Sequence, residues 1–442
     1  MSKIYTRIIV FICLYFCGFV LKAQVTVTGN ANTTPALAAT YTSLANAITA
    51  LNTITAISGH VTIALNAGNP QTAPVGGYTI NFTATTIASR TVTITGNNNI
   101  ITTNSALVSG VLTDAVFKII GSNFVTIQNF TMQENPLNVT SAVATNDMTE
   151  WGVALLCAST TNGAQNNTIQ NNSISLNRTY SNTFGIYSNA RHSATVVTVT
   201  TDASNANGAN SDNNIYGNTI NDVNMGIAFI GSGNAAAMDL GNDIGGTAIS
   251  TANTISGWGG TAAISSFVGN PGVCYGVLSN NQKNENISFN TVLTALAGTA
   301  VNLIGIYKTY NTLPTGTFSS SVNHNQVSID QNFASGILNG ILSEGITNAV
   351  SGATIHINNN LIEGLIAGLA GTSTQIVGIS NTSSCGILNI NDNIIRDNFS
   401  VSATGGFTGI NNSGIINFTA NINNNKIGDA LGNAINLSAA AI

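Results

Sequence analysis

Charge is scarce in this chain. Asp, Glu, Lys and Arg make up 6% of its 442 residues, against about a quarter in ordinary soluble domains. Eleven Lys and Arg in the whole sequence are too few to neutralise a phosphate backbone, so nucleic acid is excluded as a partner. Four His (His60, His192, His324 and His356) are dispersed, whereas a metal site wants convergent ligands. No Gly-rich phosphate loop follows a strand and opens a helix, no Ser–His–Asp set can be assembled, and no Asp-rich calcium loop is present. Disorder is excluded for a different reason. It accompanies low hydrophobicity, and 43% of these residues are hydrophobic. The chain can bury a core, and its surface must be amide and hydroxyl.

The sequence is rich in one short pattern: an apolar residue, two variable residues, Asn, one variable residue, and a second apolar residue. The Asn positions are Asn172, Asn218, Asn290, Asn325, Asn360, Asn393 and Asn425, with a partial copy at Asn253 and an earlier one in which Phe130 takes the Asn slot. Successive slots from Phe130 are 42, 46, 35, 37, 35, 35, 33 and 32 residues apart. A fixed motif at an uneven period of this size marks a solenoid, with length variation absorbed by loops. Apolar residues at −3 and +2 describe a strand, a bend and a second strand facing one core. Asn suits the bend because it tolerates left-handed backbone. Stacked Asn amides can also bond one another from rung to rung as a structural ladder.

A second marker follows most slots: an apolar residue, Gly, then Ile or Val, as at Gly152, Gly185, Gly226, Gly276, Gly305 and Gly378, with only the Gly-Ile half at Gly340 and Gly409. Strict alternation puts both neighbours of the Gly inward and the Gly outward. Each rung then has three short strands. Three strands at this period resemble the right-handed parallel β-helix of the pectate-lyase-like superfamily, over residues from about 92 to the C-terminus. The resemblance implies an all-β solenoid of about ten rungs, a rod roughly 45–50 Å long at about 4.8 Å per rung. A leucine-rich repeat is the alternative, but its period is about 20–29 residues and its convex side needs helical segments, where this chain has Gly, Ser, Thr and Asn. A β-propeller has a similar period but needs four strands and aromatic markers per blade.

Residues 1–23 read as a secretory signal. Lys3 and Arg7 lead an apolar stretch over 8–21 that is too short for a confident membrane span, and Ala23 closes a cleavage site whose exact position stays open. Its removal, with Lys3, Arg7 and Lys22, takes the formal net charge from −5 to −8. Secretion or display at the cell surface follows as an expectation, with no membrane span elsewhere. Residues 24–114 are read as a linker, a capping helix over about 41–57 and the first strands. Residues 115–442 are read as the array, open or truncated at its C-terminal end. Leu431, Ala434, Ile435 and Leu437 follow the last clear rung without charge, and an unprotected strand edge recruits other strands, so self-association through the C-terminal rung is expected. Cys157, Cys274 and Cys385 are read as small buried hydrophobes, since Cys274 and Cys385 lie about three rungs apart, beyond disulfide reach.

Enzymes of the resembled superfamily carry clustered carboxylates on the Gly-marked strand. Here the second residues after the Gly are Ala154, Tyr187, Ala228, Leu278, Tyr307, Leu342, Ser380 and Asn411, none of them acidic. Asp397 and Asp429 each lie four residues past an Asn slot in consecutive rungs, and are the one carboxylate pair that could hold Ca²⁺. An outward Gly stripe edged by Tyr187 and Tyr307, with Arg191 and His192 near by, is the candidate carbohydrate contact. The expected function is a non-catalytic extracellular adhesion or scaffold module, with a polysaccharide or cell-surface partner. A polysaccharide-binding or polysaccharide-cleaving β-helix is the alternative.

Overall fold

The computed structural model describes residues 23–437, apart from residues 108, 143, 192–201, 261–272, 298–301, 333–336, 348–351, 368–374, 401–404 and 429–434. Over the described residues the chain winds as a right-handed parallel β-helix with three long sheets, and the strand counts that follow are of those residues. Sheet I has thirteen strands and carries the residues that precede each Asn slot, from Val61–Leu65 through Val125–Gln128 and Ala353–Asn358 to Ile416–Asn421. Sheet II, also of thirteen strands, carries the residues that follow the slot, such as Thr131–Gln133, Thr219–Asn221 and Leu361–Ala367. Sheet III has ten strands and holds the Gly markers, from Tyr78–Ile80 through Trp151–Leu156 and Asn302–Thr309 to Phe407–Asn412. Pairing keeps equivalent motif positions in register, Ile127 beside Ile169 and Ile169 beside Ile215. Ile127, Ile169, Ile215, Ile287, Ile357 and Ile390 thus form one buried file along the axis.

The first coil is covered. A helix at Leu44–Leu51, shorter than the 41–57 expected, buries Leu44, Ala47, Ile48 and Leu51, and the Ser43 side chain accepts from the Asn46 N–H as its cap. The residues beyond it turn back, and Ala56–Ile57 pairs with Thr33–Thr34. The Asn52 amide then completes the edge of sheet III. It donates to Thr79 O at 2.8 Å and accepts from Asn81 N at 2.9 Å. Val25–Thr28 runs antiparallel along Val61–Leu65 and closes sheet I in the same way. Free strand edges invite further pairing, and these contacts occupy them.

At each bend the slot Asn points inward. Asn360 accepts at Oδ1 from Asn325 N (2.9 Å) and Asn325 Nδ2 (3.1 Å), and its own Nδ2 donates to Val322 O (2.8 Å) and Asn393 Oδ1 (3.0 Å). The pattern repeats for Asn172 on Asn218, Asn218 on Asn253, Asn290 on Asn325 and Asn393 on Asn425. All N–H groups point one way, so the ladder is polar along the axis. The left-handed residue is not the Asn itself, as the sequence suggested, but the one before it: Asn171, Phe289, His324, Asn359, Asp392 and Asn424 have φ between 55° and 61°. The slot Asn is selected by its amide, and the preceding position by backbone tolerance.

The Gly direction is corrected as well. A Cβ on Gly152 would lie 2.6 Å from Ile174 Cγ2, one on Gly226 2.4 Å from Ile255 Cγ2, and one on Gly305 2.3 Å from Val327 Cγ1. Each Gly therefore faces the core, against the apolar residue at slot +2 of the following rung. The two sequence motifs are the two halves of one contact: the Gly leaves the niche that the branched side chain fills.

Candidate functional site

With the Gly inward, the residue before it and the second residue after it share the outer face of sheet III. Aromatic rings show this directly. Tyr275, before Gly276, stacks on Tyr307, two beyond Gly305, at 4.9 Å, and Trp151 stacks on Tyr187 at 5.0 Å with 5° between planes. These rings are not open platforms. Tyr187 is 0% exposed, and its hydroxyl accepts from Asn189 Nδ2 at 2.8 Å. Tyr307 is buried and donates to Glu344. Burial raises the pKa of both phenols above the ordinary range, so they stay neutral hydroxyls. The expectation that Tyr187 and Tyr307 edge an exposed Gly stripe is thus overturned. They stack over a strand whose Gly is turned away. Arg191 is ion-paired with Asp202 at 2.5 Å, and His192 lies outside the described residues.

Further along sheet III the outer face opens. Ile337, Asn339, Leu342, Gln375, Val377, Ser380, Thr408 and Asn411 line a groove of about 390 Å³ across three consecutive rungs. None of these side chains ionises. Amide and hydroxyl groups alternate with aliphatic ones, and Asn411 Nδ2 reaches Ser380 Oγ only at 3.4 Å, which leaves hydrogen-bonding capacity for a ligand. The groove runs along the axis because the three strands present the same register positions: Asn339, Val377 and Thr408 in one file, Leu342, Ser380 and Asn411 in the other.

The carboxylates are elsewhere. Asp114 and Glu150 sit at the same offset, immediately before Ala115–Ile120 and Trp151–Leu156. Glu150 is fully used: Oε2 accepts from Asp114 N (2.9 Å), and Oε1 accepts from Tyr180 Oη (2.6 Å) and Asn146 Nδ2 (2.8 Å). Desolvation raises both acids, Asp114 to about 6 against the opposing pull of Lys118, and Glu150 well above the usual range. Two acids at one offset, 36 residues apart, were a signal in the sequence. That offset precedes the Gly-marked strand, away from the second residue after the Gly. Their burial makes them struts of the corner between sheets II and III.

Of the expected Asp397–Asp429 pair, only Asp397 lies among the described residues. Asp397 takes a left-handed backbone (φ 54°), its side chain is 47% exposed, and its carboxylate lies 3.6 Å from Arg396 Nε; Asp429 lies outside the described residues. Among the described residues no group of three or more His, Cys, Asp or Glu is placed to hold a metal ion, and no helix is long and apolar enough to cross a membrane. Ile435–Leu437 pairs in parallel with Asn398–Ser400. Cys157, Cys274 and Cys385 are buried, and none of them is in a disulfide.

A second amide column, not anticipated from the sequence, lines the corner that leads into sheet I. Asn167 N donates to Asn213 Oδ1 (3.0 Å), and Asn213 N and Nδ2 both donate to Asn242 Oδ1 (2.9 and 3.2 Å). Asn242 Nδ2 passes the chain to Gln282 Oε1 at 2.7 Å, and Gln282 Nε2 donates to Asp239 Oδ2 at 3.0 Å. The residues before the three Asn, namely Asn166, Asp212 and Gly241, again have positive φ. The sequence signal was an Asn five places ahead of a slot Asn, as in Asn167 and Asn172 or Asn213 and Asn218. It was hidden in a chain dense in Asn.

No protein-family model matches the sequence, and no curated protein does. Three solved structures are similar to this chain at low identity. A periplasmic alginate epimerase, AlgG, in mutant form is 11% identical, with 91% of this chain and 96% of that one covered and a TM-score of 0.32. The Dettilon tailspike protein is 15% identical, over 82% of this chain and 61% of that one, at 0.25. A mutant tailspike of E. coli bacteriophage HK620, in complex with a pentasaccharide, is 11% identical, over 77% and 60%, at 0.18.

Proposed function

We propose that this protein acts outside the cytoplasm as a non-catalytic β-helix that binds an uncharged polysaccharide along the outer face of sheet III. One observation carries the reading: the groove over Asn339, Gln375, Ser380, Thr408 and Asn411 offers amides and hydroxyls, with Ile337, Leu342 and Val377 between them and no ionisable group. Amides and hydroxyls match sugar hydroxyls, and the aliphatic side chains match the C–H faces of pyranose rings. Buried polar partners left unpaired are costly, so a ligand that satisfies them is preferred to one that does not. An acidic polysaccharide would bring charge into a groove without a cation to meet it. Cleavage would need an acid and a base within reach of the sugar, and Asp114 and Glu150 are enclosed instead.

Affinity electrophoresis in gels containing neutral or acidic polysaccharides tests this. The wild type is expected to be retarded by a neutral polymer and not by alginate or polygalacturonate. The double variant Gln375→Ala/Asn411→Ala is expected to bind about tenfold more weakly, the equivalent of about 1.4 kcal/mol, at unchanged melting temperature. Equal retardation of the double variant and the wild type would refute the groove, and release of sugar products would refute the non-catalytic reading.

A further inference from the structure

The strand file that carries the second amide column holds an acid one rung beyond Asn242. Asn167, Asn213 and Asn242 occupy it on successive rungs, and the strand register places Glu285 next, directly beside Asn242 and below Ser320. Glu285 faces Lys308, and their side chains are 3% and 1% exposed. The surroundings are closed. Ser279 Oγ donates to one carboxylate oxygen of Glu285, and Ser320 Oγ donates to the other at 3.0 Å. Lys308 Nζ also reaches Gln282 O at 3.2 Å and lies 4.3 Å from the Tyr310 ring centre. Tyr310 packs in turn on Phe318, at 5.7 Å between ring centres.

We propose that Lys308 and Glu285 condense into an intramolecular isopeptide bond. Burial opposes both charges of a separated pair, and burial depresses the Lys308 pKa, with Glu285 opposing the fall, which favours the neutral amine needed for attack. A proton passes from the Lys308 ammonium to a carboxylate oxygen of Glu285, leaving amine beside carboxylic acid. The Nζ lone pair adds to Cδ, and the two oxygens of the tetrahedral carbon are held by the Ser279 and Ser320 hydroxyls, as an oxyanion hole holds them in acyl transfer. Collapse breaks one Cδ–O bond. That oxygen leaves as water with a second proton from Nζ, and the Nζ–Cδ bond remains. Ammonium plus carboxylate thus give amide plus water, with no oxidant, cofactor or activating group. Exclusion of water from the site favours the product side.

The product suits its place. The column holds neutral amides at Asn167, Asn213 and Asn242, and the condensation makes its fourth member an amide too. The single remaining N–H donates to Gln282 O, and the amide oxygen accepts from a serine hydroxyl. The bond ties the sheet I strand Glu285–Ser288 to the sheet III strand Asn302–Thr309, and among the described residues no disulfide does this.

Intact-mass spectrometry of the denatured, purified protein decides the matter. The wild type is expected to be lighter than its sequence by one water molecule. Lys308→Met and Glu285→Ala are expected at full sequence mass. Trypsin should release the segments that contain Glu285 and Lys308 as one branched peptide. Ser279→Ala, which keeps both reacting groups, should show a mixture of linked and unlinked chains. Wild-type protein that is folded by circular dichroism yet has full sequence mass, and is cleaved by trypsin after Lys308, overturns the proposal whatever the variants do.

Discussion

Gly305→Ala is expected to destabilise the protein by about 3 kcal/mol, the upper part of the range for an overpacked core. The added methyl would lie 2.3 Å from Val327 Cγ1 and 2.7 Å from Gly340 O. One obstacle is a branched side chain and the other is backbone, so neither can yield without moving a neighbouring rung. If the Gly exists to leave room for the slot +2 residue, shortening that residue should relieve part of the damage. Val327→Ala alone removes buried methyl groups and should cost about 2 kcal/mol. The double variant should be less destabilised than the sum of the two by about 1 kcal/mol or more, as residues in contact couple. Denaturant midpoints at constant slope measure all four corners of this cycle. Strict additivity would mean that the two motifs do not interlock.

Stability should also fall as pH rises from about 4 to about 8. Asp239 is fully buried, with Oδ1 accepting from Asn210 N (2.9 Å) and Oδ2 from Gln282 Nε2 (3.0 Å). Burial raises its pKa to about 7 in spite of those bonds, and Asp114 is raised to about 6. An unfolded Asp releases its proton near 3.9. Between these values the folded chain binds more protons than the unfolded one, so ∂ΔG/∂pH is negative. The contribution is complete below the unfolded pKa and is lost as pH climbs through the folded one. For Asp239 a rise of about three units corresponds to an effect on the order of 4 kcal/mol. Asp239→Asn keeps the shape, removes the titration and should flatten most of the slope. Unfolding midpoints in urea from pH 4.5 to 8 provide the check. A wild type and Asp239→Asn with the same pH dependence would show that Asp239 ionises without cost.

The coil was legible in the sequence because one physical requirement repeats in every rung. Ile169, Ile215 and Ile357 must be buried, and the bend must come three residues later. The same periodicity misled where alternation fails. Gly152 and Gly226 were read as outward on strict period two, but they face Ile174 and Ile255, and this places Trp151 and Tyr187 on one face. Tyr187 was then read as a sugar platform, when the ring is buried. The groove is not legible in the sequence for a related reason. Leu342, Ser380 and Asn411 carry no acid, and their value lies in that lack. Asp114, Glu150 and Glu285 meet their partners across rungs, through loops whose lengths differ, and motif spacing does not encode such meetings.

The buried Asn ladder is the element on which the whole architecture rests, and Asn360 tests it most directly. Removing its side chain leaves Asn325 N, Asn325 Nδ2 and Val322 O without the bonds they make at 2.9, 3.1 and 2.8 Å. The cost should be about 3 kcal/mol, the upper end for buried groups left unpaired. Asn205 is exposed, and its side chain accepts from Asn207 N in a surface turn. Thermal and urea unfolding of Asn360→Ala and Asn205→Ala, measured side by side, should show a large loss for the first and almost none for the second. Equal melting temperatures for the two variants would contradict the ladder.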